Sequence, residues 1–268
     1  MAIDYSSDPA VNNFREYLRI ASVHPNVNYD ECLTFLRRQA QECGLTVQEF
    51  EPVPKKPVLV MTWTGEEPRL PSILLLSHMD VVPQDWDYPP FEARLIDGRI
   101  YARGSQDMKA HAMQTIEAVR RLKKNNIKMK RTVHLCFVPD EEVGGFDGMA
   151  TFVKTDAYRS LNVGFCIDEG SGSPGDEIVV YNGAKSIWRE FFSSNNFSFP
   201  RKIPYLVGIF PAGNDSRFVR ELGTPAIGLS PLRHTPVAAH ARNESLLVSV
   251  FLEGITVFEN IIPAMCNA

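Results

Sequence analysis

Ile73-Leu-Leu-Leu-Ser-His-Met-Asp-Val-Val-Pro83 is the stretch that decides the fold: an apolar run that closes on a histidine, an aspartate and a proline. A short continuous apolar run bounded by such residues reads as a strand buried on both faces. Working outward, Thr132–Val138, Val163–Ile167 and Ala226–Leu229 repeat the pattern, and Leu45–Val53 and Pro57–Thr64 also read as strands. Between and beyond them, helical spacing predicts a long amphipathic helix over Gln106–Asn126. Further helices are expected near Gly148–Thr155, at Ser216–Leu222 and at Glu244–Glu259. Upstream, Ser7 or Asp8 caps a helix carrying Val11, Phe14, Tyr17 and Leu18, and a second helix from Asp30 to Cys43 stops at Gly44. Strands alternating with helices predict an α/β fold, a mainly parallel sheet flanked by helices. Its ligand site is expected beyond the carboxyl ends of the strands.

The chain has 268 residues, 44% hydrophobic and 22% charged, with a formal net charge of −4. These values fit a globular protein, read as a single domain over 1–268, with the polar, proline-containing stretch Ser193–Pro204 as a connector. The charge gives no electrostatic reason to bind nucleic acid, so a small-molecule or peptide ligand is expected. Runs such as Leu246–Leu252 fall short of the ~20 residues of a membrane span, and Met1–Pro9 lacks the features of a secretory signal. Cys32, Cys43, Cys136, Cys166 and Cys266 are odd in number and without CxxC spacing, which suits reduced thiols in the cytoplasm.

The chemistry-bearing side chains fall at strand ends. His78 and Asp80 follow the first buried strand, and Asp107 opens the long helix. Asp140, Glu141 and Glu142 follow Thr132–Val138, Asp168 and Glu169 follow Val163–Ile167, and His240 precedes the last helix. Taken singly, Asp107 reads as a helix cap, His240 as a loop residue and the acidic triplet as a solvated turn. Taken together on one rim of a sheet, they concentrate negative charge that is costly without a cation. Imidazole and carboxylate without thiolate suit zinc, with cobalt or manganese as substitutes. A carboxylate can bridge a pair of such ions that activates water. No HExxH, GxSxG, phosphate-loop or dinucleotide motif competes. His24, His111, His134 and His234 lack an acidic strand-end setting and are read as structural.

Ser77-His-Met-Asp-Val-Val-Pro83, Tyr101-Ala-Arg-Gly-Ser-Gln-Asp-Met-Lys109, Phe137-Val-Pro-Asp-Glu-Glu-Val-Gly-Gly145 and Asp168-Glu-Gly170 resemble, in order, motifs of the co-catalytic dizinc metallopeptidase family of aminoacylase, carnosinase and carboxypeptidase G type enzymes. The resemblance covers about Asn13–Ile187 and Ala212–Pro263. It implies two zinc ions per chain, with Asp107 bridging, His78 and Glu169 on one ion, and Glu142 and His240 on the other. It further implies that Asp80 orients His78 and that Glu141 is the general acid/base. Glu169 is chosen over Asp168 by the resemblance alone, since adjacent strand residues point oppositely. Asn214 and Arg217 resemble a substrate-side loop, with Arg217 as partner of a substrate carboxylate.

The implied reaction is hydrolysis of N-acyl-L-amino acids, with dipeptidase or aminopeptidase activity as the alternative. In one respect the chain departs from the family pattern. Relatives carry a lid and dimerisation domain where this chain has only the connector at 193–204. That departure predicts a monomer, and it sets beside the enzyme a second reading, a lid-less, catalytically weak metal-binding variant.

Overall fold

Ser72–His78, buried at every position, forms a strand in the middle of an eight-stranded sheet. The computed structural model describes residues 5–83, 85–184 and 204–268. The chain begins with α1 (Pro9–Leu18), α2 (Asp30–Cys43), β1 (Thr46–Val53), β2 (Lys56–Trp63), β3 (Ser72–His78), β4 (Arg94–Ile96) and β5 (Arg99–Tyr101). There follow α3 (Lys109–Lys124), β6 (Val133–Val138), a 3-10 turn over Glu141–Val143, α4 (Met149–Phe152), α5 (Asp156–Ser160), β7 (Val163–Asp168) and β8 (Ile178–Ala184). It closes with β9 (Tyr205–Phe210), α6 (Ser216–Glu221), β10 (Ala226–Leu229), β11 (Ser245–Leu247) and α7 (Val248–Cys266).

The large sheet runs β1-β2-β6-β3-β7-β10-β8-β9. Its centre, β6-β3-β7-β10, is parallel, as expected. Antiparallel pairs lie between β1 and β2, β2 and β6, and β10 and β8, while β9 runs parallel to β8. Strands β4, β5 and β11 make a small separate sheet. The chain passes from β3 through α3 to β6, then crosses back to β7 on the other side of β3. Such a reversal of strand order opens a crevice at the carboxyl ends of the strands.

The period-two alternation of β3 divides the core. Ile73 and Leu75 join α1, α2, α3 and α7 on one face; Leu74 and Leu76 join α4, α5 and α6 on the other. Helix α1 starts where Asp8 accepts from the amides of Ala10 (2.8 Å) and Val11 (3.1 Å). Helix α2 ends at Gly44, which adopts a left-handed φ of 60°. On α7, Phe251 is fully buried and stacks on Phe14 with centroids 4.3 Å apart. Phe251→Ala is expected to cost about 3–5 kcal/mol through lost transfer energy and the cavity left behind, read as a lower urea midpoint at unchanged slope.

Several boundaries differ from expectation. Helix α3 begins at Lys109, because residues 103–107 form a loop held by Glu244, and the residues after Glu244 pair as β11 with β5. Helix α7 therefore begins at Val248 and continues to Cys266. By length and composition α7 could cross a membrane, but here it is a core helix, burying Phe251, Ile255, Phe258 and Ile262. Strands β4, β5, β8, β9 and β11 were not announced by periodicity. The connector Ser193–Pro204 lies outside the described residues except for Pro204, whose carbonyl accepts from the Ile178 amide at 3.0 Å.

His134 of β6 behaves as a structural histidine. Its Nε2 donates to the Leu161 carbonyl (3.1 Å), which leaves Nδ1 to accept from the Thr62 hydroxyl (2.9 Å). Burial pushes the imidazole down to about 4. Between pH 6.5 and about 4 the unfolded chain therefore takes a proton that the folded one refuses. Stability is expected to fall by up to about 3 kcal/mol over that window and no further below it. His134→Gln should flatten this part of a stability-against-pH curve measured in urea.

Candidate metal centre

At the end of β3, the His78 ring is fixed by Nδ1 donating to the backbone carbonyl of Asp80 at 2.9 Å. That hydrogen bond selects the tautomer and leaves Nε2 as a donor of electrons to a cation. Nε2 points at Asp107 Oδ1 (3.1 Å) and Glu169 Oε2 (3.8 Å). The second oxygen of Asp107 faces His240 Nε2 at 3.0 Å, and the same nitrogen lies 2.8 Å from Glu142 Oε2. Ligand atoms of His78, Asp107 and Glu169 form one group within 4.8 Å of one another, and those of Asp107, Glu142 and His240 form a second. Asp107 belongs to both.

Three neighbouring parallel strands deliver three of these five side chains. His78 ends β3, Glu142 lies on the 3-10 turn after β6, and Glu169 follows β7. The turn after β6 is reached through Asp140 at φ 65°, and His240 also sits at a positive φ, 61°. Such φ values are uncommon for non-glycine residues and cluster at functional sites. Asp107 is not a helix cap: Met108 stands at the start of α3 and no side chain caps it. Asp168 is spent internally, accepting from the amides of Glu169 (2.8 Å) and Ser216 (2.7 Å). Glu169, rather than its neighbour, thus faces His78.

Carboxylates crowd one another in this cluster. Burial together with Asp107, Glu142 and Asp168 raises Glu141 to about 8. Burial likewise pushes Glu142 up and Glu169 well up. Hydrogen bonds donated to Asp107 and Glu142 lift His240 to about 10. Asp107 is held well below the carboxylate range by His240 and His78 despite its burial. Glu142 Oε1 is buried with no partner, and so are both oxygens of Asp215, which burial and Glu141 hold well above the ordinary aspartate value. Crowded carboxylates, an orphaned acceptor and an imidazole–carboxylate donor set without thiolate fit divalent zinc. His240 is about half exposed (53%), so the centre opens to solvent.

Asp80 acts on His78 differently from expectation. Its carboxylate is 3.7 Å from Nδ1, and the closer contact is its main-chain oxygen. The carboxylate instead accepts from His24 Nε2 (2.8 Å) and from the Glu142 amide (3.1 Å), tying β3 to the 3-10 turn. His24, read as structural, thereby joins Asp80 and Asp140 in a buried acidic group. There the Lys56 ammonium (2.6 Å from Asp140) already supplies the positive charge, and the Tyr29 hydroxyl donates to Asp140 as well. No local pattern announced these partners, since each contact joins distant parts of the chain.

Asn214 and Arg217, expected on the substrate side, also make bonds within the chain. Asn214 is buried; its amide donates to the Glu169 carbonyl (3.4 Å) and its oxygen accepts from the Ser216 hydroxyl (2.7 Å). Arg217 donates to the Gly144 carbonyl and lies over the Phe218 ring, 4.5 Å from its centroid. His111 is buried beside Ser77, and burial pushes it down to about 3, so it stays neutral.

Aminoacylase-1 of Mus musculus is 32% identical over 393 residues, covering 98% of this chain and 96% of the relative. That alignment is far longer than the 268 residues here, so a large block of the mouse sequence has no counterpart in this chain. Aminoacylase-1 of Homo sapiens is 46% identical over 184 residues, covering 67% of this chain and 45% of the relative. Among solved structures, an M20 family metallo-carboxypeptidase of Sulfolobus solfataricus superposes with a TM-score of 0.76 at 13% identity, covering 97% of this chain and all (100%) of the other, a likeness of fold. The family model for peptidase family M20/M25/M40 matches residues 74–264, from β3 into α7. With the strand-end donors of β3, β6 and β7 inside that match, the chain belongs to peptidase family M20/M25/M40.

Proposed function

We propose that this chain hydrolyses N-acyl-L-amino acids to a carboxylate and a free amino acid, with two zinc ions held by His78, Asp107 and Glu169 and by Asp107, Glu142 and His240. The observation that carries the reading is the sharing of Asp107 between two donor groups, with Glu141 next in sequence to Glu142 of the second. The aminoacylase relatives supply the substrate class. Zinc bound there supplies Lewis acidity, lowering the pKa of water and polarising a carbonyl. Glu141 takes a proton from water as the water oxygen bonds to the amide carbon. It returns that proton to the nitrogen as the carbon–nitrogen bond breaks, so the amine leaves neutral. Asp80, through its contacts to His78 and the Glu142 amide, keeps the two donor groups in register.

Purified chain loaded with zinc should release methionine from N-acetyl-L-methionine faster than it cleaves dipeptides. The opposite preference favours the dipeptidase or aminopeptidase reading, and no hydrolysis of either favours the metal-binding variant.

The sequence block missing relative to the mouse protein supports a further part of the reading, that the lid and dimerisation segment is absent at 193–204 and that the chain works as a monomer. The family resemblance implies that the lid contributes a histidine to the oxyanion, and loss of a single oxyanion donor costs about 10²–10³ in turnover, so activity is expected to be lower by that order than in a lidded relative. Sedimentation should give one species of single-chain mass, and a stable dimer would contradict it. The free, buried cysteines accord with a reducing cytoplasm.

A further inference from the structure

Glu244 is wholly buried, four residues beyond His240, and its carboxylate receives only donors. Oε2 accepts from Arg103 Nη1 (2.8 Å) and the Gly104 amide (3.2 Å); Oε1 accepts from the amides of Gln106 and Asp107 (3.2 Å for the latter) and lies 3.4 Å from the Ser105 hydroxyl. Backbone amides of a tight loop converging on one anion form a concave anion site, and here the anion is the chain's own side chain. The loop it gathers ends on Asp107, whose two oxygens face His78 and His240. The Gln106 side chain adds a second tie between the same segments. Its Nε2 donates to the carbonyls of Ser245 (2.9 Å) and Pro236 (3.3 Å), and its Oε1 accepts from the Ala238 amide (2.9 Å).

We propose that Glu244 is a positioning residue for the metal centre, fixing the Asp107 loop and the His240 segment against each other so that the shared carboxylate and the half-exposed imidazole meet one ion. The inference rests on the two-ion reading above. His78 and Glu169 are held by strand ends β3 and β7 and do not depend on Glu244, whereas His240 reaches the centre on a left-handed turn at the surface. Asp107 serves both groups, but the Asp107–Glu142–His240 group has two of its members set by Glu244 and the other group has one. Loss of Glu244 therefore weakens the second zinc more than the first. Gln at this position keeps the side-chain volume but turns an acceptor into a donor that faces other donors.

Zinc titration of metal-free protein against a chromophoric chelator, with visible spectra of the cobalt-substituted protein, tests this in wild type, E244Q and Gln106→Ala. Wild type is expected to bind two ions. E244Q should bind the first within about threefold and the second at least tenfold more weakly, about 1.4 kcal/mol, with a changed cobalt spectrum. Gln106→Ala, which leaves the carboxylate cradle in place, should move the second affinity in the same direction by less, and it serves if E244Q does not fold. Two ions bound with wild-type affinities and spectra in both variants overturn the role of Glu244 and leave the two-ion reading intact. A wild-type chain that binds one ion overturns the two-ion reading instead. Glu244 is then judged on that ion, and unchanged affinity in the variants overturns its role too.

Discussion

Glu141→Gln is expected to reduce hydrolysis of an N-acyl amino acid by about 10²–10⁴, the usual contribution of a positioned general acid–base, while leaving bound zinc unchanged. Glutamine has nearly the volume of glutamate and cannot carry a proton from water to the leaving amine. Burial and the surrounding carboxylates raise Glu141 to about 8, so it holds a proton more readily than an ordinary glutamate. A neutral amide cannot add a like charge to the cluster at any pH, so the fold should be no less stable. Steady-state amine release, metal content and melting temperature, measured together, separate this from a structural effect. Turnover within tenfold of wild type would move the proton transfer to another group.

Asp107→Asn is expected to have the larger effect on metal. Both oxygens of Asp107 are committed, one toward His78 and one toward His240, and an amide offers one neutral oxygen in place of two charged ones. Both donor groups lose their common anion, so neither should retain zinc through dialysis and hydrolysis should be undetectable. Stability provides an independent readout. At a free concentration about 1,000 times Kd, each ion stabilises the folded chain by about 4 kcal/mol, roughly 8–16 °C in melting temperature for a chain of this size. Chelation of wild type should remove that increment, and zinc should not restore it in Asp107→Asn. A variant that melts higher on adding zinc, as wild type does, would show that Asp107 is not the shared ligand.

The central strands could be read from sequence because burial makes them apolar, and the helices because one apolar face recurs at helical spacing. Strands β3, β6 and β10 are buried along their whole length and β7 over its second half, so their residues form short apolar runs. The short strands β4, β5 and β11 exist because they pair with one another, and three residues carry no periodicity. The candidate ligands were legible because a parallel sheet brings strand ends to one rim. His78, Glu142 and Glu169 are separated by many residues in sequence yet follow neighbouring strands. Their supports were not legible. The contacts of His24 with Asp80, Lys56 with Asp140 and Glu244 with Arg103 join segments 56, 84 and 141 residues apart. Local sequence names the acid but not the distant donor. Asn214 and Arg217 show the converse: a matching motif located the loop but not the internal bonds that occupy it.

The central claim is that one carboxylate joins two zinc sites into a hydrolytic centre. Its most direct test is a titration of the metal-free chain with zinc, following bound metal and N-acetyl-L-methionine hydrolysis in the same sample. The account predicts uptake of two ions per chain, with hydrolysis reaching its plateau as the second is taken up. A chain that binds no zinc, or whose hydrolysis is the same with and without it, would contradict the account.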